Sequence, residues 1–141
     1  MSTDTQTQLQ RRGSLRNWLP RAGAIILLAM GAVHLLVNVG FSLGAGYPGF
    51  LFLLNAALSA VLAVGVFANV RLAWPATALM AAGTIVLYVV VHTIGLPGFY
   101  LEDWLSTVGF LPLGPISVVG EAIIIALYVI DRLTKAQGRS V

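Results

Sequence analysis

The sequence predicts an all-α fold: a polytopic membrane protein whose four transmembrane helices pack as a bundle. Of its 141 residues, 58% are hydrophobic and only 9% are charged, whereas about a quarter of the residues in soluble domains are charged. The mean hydropathy is +0.91. Four apolar runs approach or exceed the roughly 18 residues expected of a helix that crosses the hydrocarbon core.

The apolar runs divide the chain into a membrane domain and two tails. Residues 1–21 are polar and lack apolar periodicity, which predicts a disordered basic tail. The transmembrane domain is predicted over residues 22–131, and a second basic tail follows over residues 132–141. The four spans within the domain are predicted at 22–43, 49–70, 74–95 and 116–130.

The connector between the third and fourth spans is predicted to contain a further helix. Over residues 100–109 apolar and polar side chains recur at helical spacing. Leu101, Trp104 and Leu105 would face the lipid or the bundle, while Glu102 and Asp103 face water. This pattern is typical of an interfacial helix that lies on the membrane surface.

The positive residues indicate how the chain is oriented. They precede the first span, separate the second from the third, and follow the fourth, and the other two connectors carry none. By the positive-inside rule, both termini and the second connector are cytoplasmic, as in a multi-pass protein of the plasma membrane. The net charge of +3 therefore reflects topology, and no nucleic-acid partner is predicted. The eight residues are Arg11, Arg12, Arg16, Arg21, Arg71, Arg132, Lys135 and Arg139.

Polar residues within the spans define which side of each helix packs inward. They recur at spacings of three, four and seven, so each set lies on one helix face, and polar groups in hydrocarbon turn toward the bundle interior. Most of them also lie at a similar depth, roughly 15 to 24 Å from the basic end at about 1.5 Å per residue. A pocket in the outer half of the membrane is therefore predicted. The principal residues are His34, Asn38, Asn55, Ser59, Thr84, Tyr88, His92, Ser117 and Glu121.

Glu121 is the most informative of these residues, because an ionised carboxylate inside an apolar span costs a few kcal/mol. It must be protonated, paired or hydrated. Neither Lys nor Arg occurs within the spans, so His34 and His92 are its candidate partners. A buried hydrogen bond between helices remains the structural alternative for Glu121.

We considered three kinds of ligand for this pocket. His34, His92 and Glu121 together form a ligand set that suits a divalent metal ion. The second candidate is haem b, held by the two histidines. The third is a quinone headgroup, held by histidine, Tyr88 and Glu121. The chain has no cysteine, which excludes thiolate metal sites and cysteine-attached haem. The predicted ligand-binding set is His34, Asn38, Asn55, Tyr88, His92 and Glu121.

Several short motifs resemble those of a family of small prokaryotic four-helix integral membrane proteins with no established function. The resemblance implies the four-helix fold but no activity. Members of that family often have Arg at the position of His92, where it would pair with an acidic residue. The motifs are Gly-Ala-Val-His at 31–34, Phe-Leu-Leu-Asn-Ala at 52–56, Thr-Ile-Gly-Leu-Pro-Gly at 93–98, Glu-Asp-Trp at 102–104 and Ile-Ser-Val-Val-Gly-Glu at 116–121.

The leading functional hypothesis is a membrane module whose polar pocket binds a small ligand, a metal ion or a redox cofactor. The alternative is a non-catalytic accessory subunit of a larger membrane complex, or a homo-oligomer, since a chain of this size has outward faces available for partners. An enzyme is less favoured, because the spans contain no triad-like arrangement, phosphate loop or carboxylate pair. The apolar inner half also argues against a transport pathway.

Overall fold

The computed structural model describes residues 3–40, 47–95, 107–108 and 111–137, and the side chains of 18–40, 47–95 and 112–137. In this part of the chain the fold is all-α apart from one pair of two-residue strands. Four helices account for nearly all of it: α1 (Thr3–Gly40), α2 (Tyr47–Phe67), α3 (Ala73–Thr93) and α4 (Leu113–Gln137). The four predicted membrane-spanning helices are confirmed as long apolar helices in the predicted order.

Each helix contains a segment long and apolar enough to cross a membrane. These segments have mean hydropathies from 1.8 to 2.4. Large apolar side chains on their outer faces, such as Leu53, Val61 and Leu79, are exposed, as expected where lipid is the solvent. The chain is therefore a multi-pass membrane protein in contact with the bilayer. The four segments are Trp18–Gly40, Tyr47–Phe67, Ala73–Thr93 and Leu113–Gln137.

Two helices, α1 and α4, extend farthest beyond their predicted spans. α1 begins at Thr3, where the polar composition predicts a disordered tail; Gln, Leu and Arg in this stretch are good helix formers. α4 begins three residues earlier than predicted and continues to Gln137. Its start places Pro115 in the first turn, where a proline does not interrupt the hydrogen-bond ladder. Asp131 consequently lies inside α4 and not at its end.

The turn between α2 and α3 is a Schellman motif. The Asn69 amide donates to the Val66 carbonyl at 3.0 Å and the Val70 amide donates to the Gly65 carbonyl at 2.9 Å, which satisfies the last carbonyls of α2. Asn69 has φ of 57°, a conformation that asparagine tolerates better than most residues. The turn brings Arg71 and Leu72 to the same end of the bundle as Asp131.

The helices form a ring in which each packs against its neighbours in the chain and α1 also packs against α4. The buried apolar core is concentrated in the half of the bundle nearer the basic residues. Trp74 is part of this core, although its position predicts an aromatic anchor at the interface. It lies over Gly23 of α1 and its ring meets Tyr128 edge-on at 5.7 Å. The core residues are Ala24, Leu27, Ala63, Val66, Ala73, Trp74, Ala81 and Ile124.

The predicted interfacial helix lies mainly outside the described residues. Its described part, Thr107–Val108 (β1), pairs antiparallel with Leu111–Pro112 (β2) directly before α4. The predicted division into two tails and one membrane domain stays a prediction.

Candidate ligand-binding site

A cavity of about 80 Å³ lies between the helices in the half of the bundle away from the basic end. All four helices contribute to its wall. Five of the six residues predicted for a ligand pocket line it together: His34, Asn55, Tyr88, His92 and Glu121. The inward faces deduced from spacing thus meet at one place, and the remaining wall is mostly aliphatic.

Glu121 is the most deeply buried of these polar residues, with 2% of its surface exposed. The hydroxyls of Thr84 and Ser117 lie within hydrogen-bonding range of its carboxyl group. Its Oε2 is buried and has no hydrogen-bond partner. An unpaired buried oxygen is costly. Glu121 can therefore gain stability from one more hydrogen bond at the cavity wall.

His34 of α1 is fixed by its own helix. Its Nδ1 lies 2.7 Å from the Met30 carbonyl one turn earlier, so in the neutral ring Nδ1 carries the proton and Nε2 is the acceptor. The ring lies against Phe52 of α2, with centroids 5.8 Å apart. His34 therefore contributes the hydrogen-bond acceptor Nε2 to the cavity, and its neighbour Phe52 is apolar.

Asn55 links α2 to α3. Its amide Nδ2 donates to Thr84 Oγ1 at 2.9 Å, and the Thr84 hydroxyl also lies 3.1 Å from the Met80 carbonyl. Ser59 Oγ approaches Asn55 Oδ1 at 3.5 Å. Since Thr84 also neighbours Glu121, one chain of hydrogen bonds runs from α2 through α3 to α4.

Tyr88 and His92 are the aromatic residues on the α3 side of the cavity. They are one turn apart, and their rings stack obliquely with centroids 4.1 Å apart. His92 Nδ1 lies 2.7 Å from the Tyr88 carbonyl, the same arrangement that fixes His34. His92 is 4% exposed, so it lies deeper than its position near the helix end suggests.

Asn38 is the one predicted residue that does not line the cavity. Its Nδ2 donates to the Gly49 carbonyl at 2.8 Å, which ties the end of α1 to the first turn of α2. The predicted metal ligands His34, His92 and Glu121 share the cavity wall. In the described part of the chain, however, no three His, Asp or Glu side chains are grouped closely enough to hold a metal ion.

Asp131 is a site residue that the sequence analysis missed. It is fully buried at 0% exposure and lines a second cavity at the basic end. Its Oδ2 accepts from Trp74 Nε1 at 3.1 Å and from Lys135 Nζ at 2.6 Å. The signal for its burial in the sequence was weak: Glu121, Tyr128, Asp131 and Lys135 continue one helix face at spacings of seven, three and four.

These features define a class of protein: a small multi-pass membrane protein with four membrane-spanning helices. No protein-family model, no curated protein and no solved structure matches this chain. The four apolar helices agree with the resemblance to small four-span membrane proteins, but no family is identified.

Proposed function

We propose that this protein binds the polar head of a small, lipid-soluble molecule in the cavity between its four helices. The observation that carries the proposal is the unpartnered Glu121 Oε2 beside a cavity that His34 and Tyr88 also line. Apolar walls with a few convergent polar groups are typical of small-molecule sites. The wall includes Leu87, which is 39% exposed on the outer surface of the bundle, so a ligand dissolved in lipid can enter sideways.

A quinone is the chemical class that these side chains match best. Its head is planar and apolar apart from two carbonyl oxygens that accept hydrogen bonds. On the cavity wall, Glu121 in its protonated form and Tyr88 each carry a hydroxyl group. These hydroxyl groups can donate hydrogen bonds to the quinone carbonyls. A reduced quinone would present hydroxyls instead, and Nε2 of His34 would then accept a hydrogen bond from one of them.

The size of the cavity argues against haem. Its volume of about 80 Å³ is roughly half of the ~150 Å³ that accommodates benzene in an engineered protein cavity. A quinone head therefore requires small movements of flexible wall residues such as Leu87, whereas a porphyrin would require the helices to separate. A metal ion is less favoured than a quinone because the three candidate ligands are not grouped.

The test is a titration of the purified full-length chain with a short-tailed benzoquinone, read out by the rise in thermal stability in detergent. Ligand binding stabilises the folded state in proportion to RT ln(1 + [L]/Kd). We expect Glu121→Met and Tyr88→Phe each to weaken binding about tenfold, because each variant lacks the hydroxyl that donates a hydrogen bond worth roughly 1.4 kcal/mol. Wild-type affinity in both variants would overturn the proposal.

Thr77→Val is the matched control for this titration. Thr77 is fully buried, but its hydroxyl bonds to the Ala73 carbonyl within α3 and it does not line the cavity. The control should bind the benzoquinone as the wild type does. An equal loss of affinity in Thr77→Val and Glu121→Met would mean that the assay reports general destabilisation, and the proposal would fall.

We also propose that the basic end of the bundle faces the cytoplasm, which places both tails inside and the cavity nearer the outer leaflet. The clustering of Arg71, Arg132 and Lys135 around one cavity supports a single basic end, and the positive-inside rule then gives its direction. The accessory-subunit hypothesis stays open, since exposed apolar faces suit lipid and partner helices alike.

A further inference from the structure

A second cavity of about 410 Å³ lies at the basic end, on the far side of the apolar core from the candidate quinone site. It is formed where α1, the α2–α3 turn and the C-terminal half of α4 meet. Its wall is more polar than that of the first cavity. The polar residues that line it are Asn69, Arg71, Trp74, Tyr128, Asp131, Arg132 and Lys135.

The charges around this cavity do not balance. Arg71, Arg132 and Lys135 bring three positive charges, and Asp131 brings one negative charge. Lys135 is the cation that pairs with Asp131, and among the described side chains no carboxylate pairs with Arg71 or Arg132. Arg132 instead lies 5.7 Å from the centre of the Tyr128 ring. Two positive charges therefore remain available for an anion at this end.

Asp131 adds an acceptor to this positively charged cavity. Its Oδ2 is occupied by Trp74 and Lys135, whereas Oδ1 is buried with no partner. A fully buried carboxylate oxygen without a donor is costly. A molecule that fills the cavity is therefore expected to bring both a negative charge and a hydrogen-bond donor.

We infer that this cavity binds the headgroup of an anionic phospholipid that carries a hydroxyl, such as phosphatidylglycerol. The phosphodiester lies between Arg71 and Arg132, and a headgroup hydroxyl donates to Asp131 Oδ1. Basic pockets between transmembrane helices are established positions for anionic lipid headgroups, and guanidinium groups match phosphate oxygens geometrically. The location at a membrane-facing end of the bundle leaves the acyl chains free to follow the exposed surface of the helices.

The experiment is native mass spectrometry of the full-length chain in detergent, with phosphatidylglycerol, phosphatidylcholine or inorganic phosphate added at matched concentrations. Phosphatidylcholine has the same phosphodiester but a net neutral headgroup without a donor. We expect phosphatidylglycerol to bind at least tenfold more tightly than phosphatidylcholine. Equal binding of the two lipids would overturn the inference, as would binding of inorganic phosphate without binding of either lipid.

Two variants identify the site. Arg71→Gln removes an exposed cation that makes no described ion pair, so the fold should tolerate it, and we expect phosphatidylglycerol binding to weaken at least fivefold. Arg21→Gln is the control: Arg21 is also exposed at this end but does not line the cavity. Equal effects of the two substitutions would refute a defined site in favour of general surface charge.

Phosphatidylglycerol with both headgroup hydroxyls methylated tests the donor contact on the wild-type chain. This lipid keeps the negative charge but has no donor for Asp131 Oδ1, so we expect its preference over phosphatidylcholine to be severalfold lower than that of phosphatidylglycerol. Undiminished preference for the methylated lipid would overturn the role of Asp131.

Discussion

Trp74 of α3 donates a hydrogen bond from Nε1 to Oδ2 of the buried Asp131 of α4, across 3.1 Å. The two residues are 57 positions apart in the chain, and the same carboxylate oxygen also accepts from Lys135. Trp74 in turn covers Gly23 of α1. A single indole ring thus connects three helices at the basic end of the bundle.

We predict that Trp74→Phe lowers the free energy of unfolding by about 1–3 kcal/mol. The substitution keeps an aromatic ring but removes a donor to a charged, buried acceptor, which is among the more valuable kinds of hydrogen bond. The measurement is reversible unfolding in mixed micelles, followed by circular dichroism. Trp18→Phe is the control, because Trp18 is 49% exposed. Equal stability of the two variants would show that the Trp74–Asp131 hydrogen bond contributes nothing.

A second prediction concerns Gly23, at the contact between α1 and α3. A Cβ at this position would overlap the Trp74 ring, with Cζ3 at 2.6 Å, and the ring is held by its bond to Asp131. We expect Gly23→Ala to destabilise the bundle by about 1–3 kcal/mol through overpacking. Gly83→Ala is the matched control, since nothing lies within 4 Å of a Cβ there. That variant should be neutral or up to about 1 kcal/mol more stable, because alanine favours helix. Equal losses in both would contradict the close contact.

The cavity residues show what the sequence could reveal. The spacing of His34, Asn55 and Glu121 within their spans was enough to place them on inward faces, because polar groups avoid lipid. They reach the same cavity because they lie at similar depths in the membrane. The depth of a residue in a helix follows from its number, because the rise per residue is constant. Asn38 shares the face and depth but bonds to the Gly49 carbonyl instead, because the geometry of the α1–α2 connection decides its partner.

Asp131 shows what the sequence could not easily reveal. Charged residues near the end of an apolar run normally mark the membrane surface, so the predicted span ended at residue 130. The actual helix continues to Gln137 and buries Asp131 by pairing it with Lys135 and with the indole of Trp74. Only the tertiary contact with α3 distinguishes a buried ion pair from an exposed one, and that contact spans 57 positions of the chain.

The proposed orientation is testable because the chain has no cysteine. Single cysteines at Leu72, which is 72% exposed in the α2–α3 turn, and at Ala45, between the first and second spans, give two reporters on opposite sides. We expect a membrane-impermeant maleimide to label Ala45→Cys in intact cells and to label Leu72→Cys only after permeabilisation. The reverse labelling pattern would place the basic end outside and contradict the proposed topology.

The hydrogen-bond chain from α2 to α4 is tested by removing its central hydroxyl. Thr84→Val deletes the acceptor of Asn55 Nδ2 and the hydroxyl beside Glu121. Two interhelical hydrogen bonds averaging about 0.6 kcal/mol each predict a loss of about 1 kcal/mol in the free energy of unfolding in mixed micelles. Thr93→Val is matched to it, because the Thr93 hydroxyl also bonds to the carbonyl four residues earlier in α3 but is exposed. The control should lose less than half as much. If both variants lose the same amount, the bond to the helix's own backbone explains the effect, and Thr84 does not connect the three helices energetically.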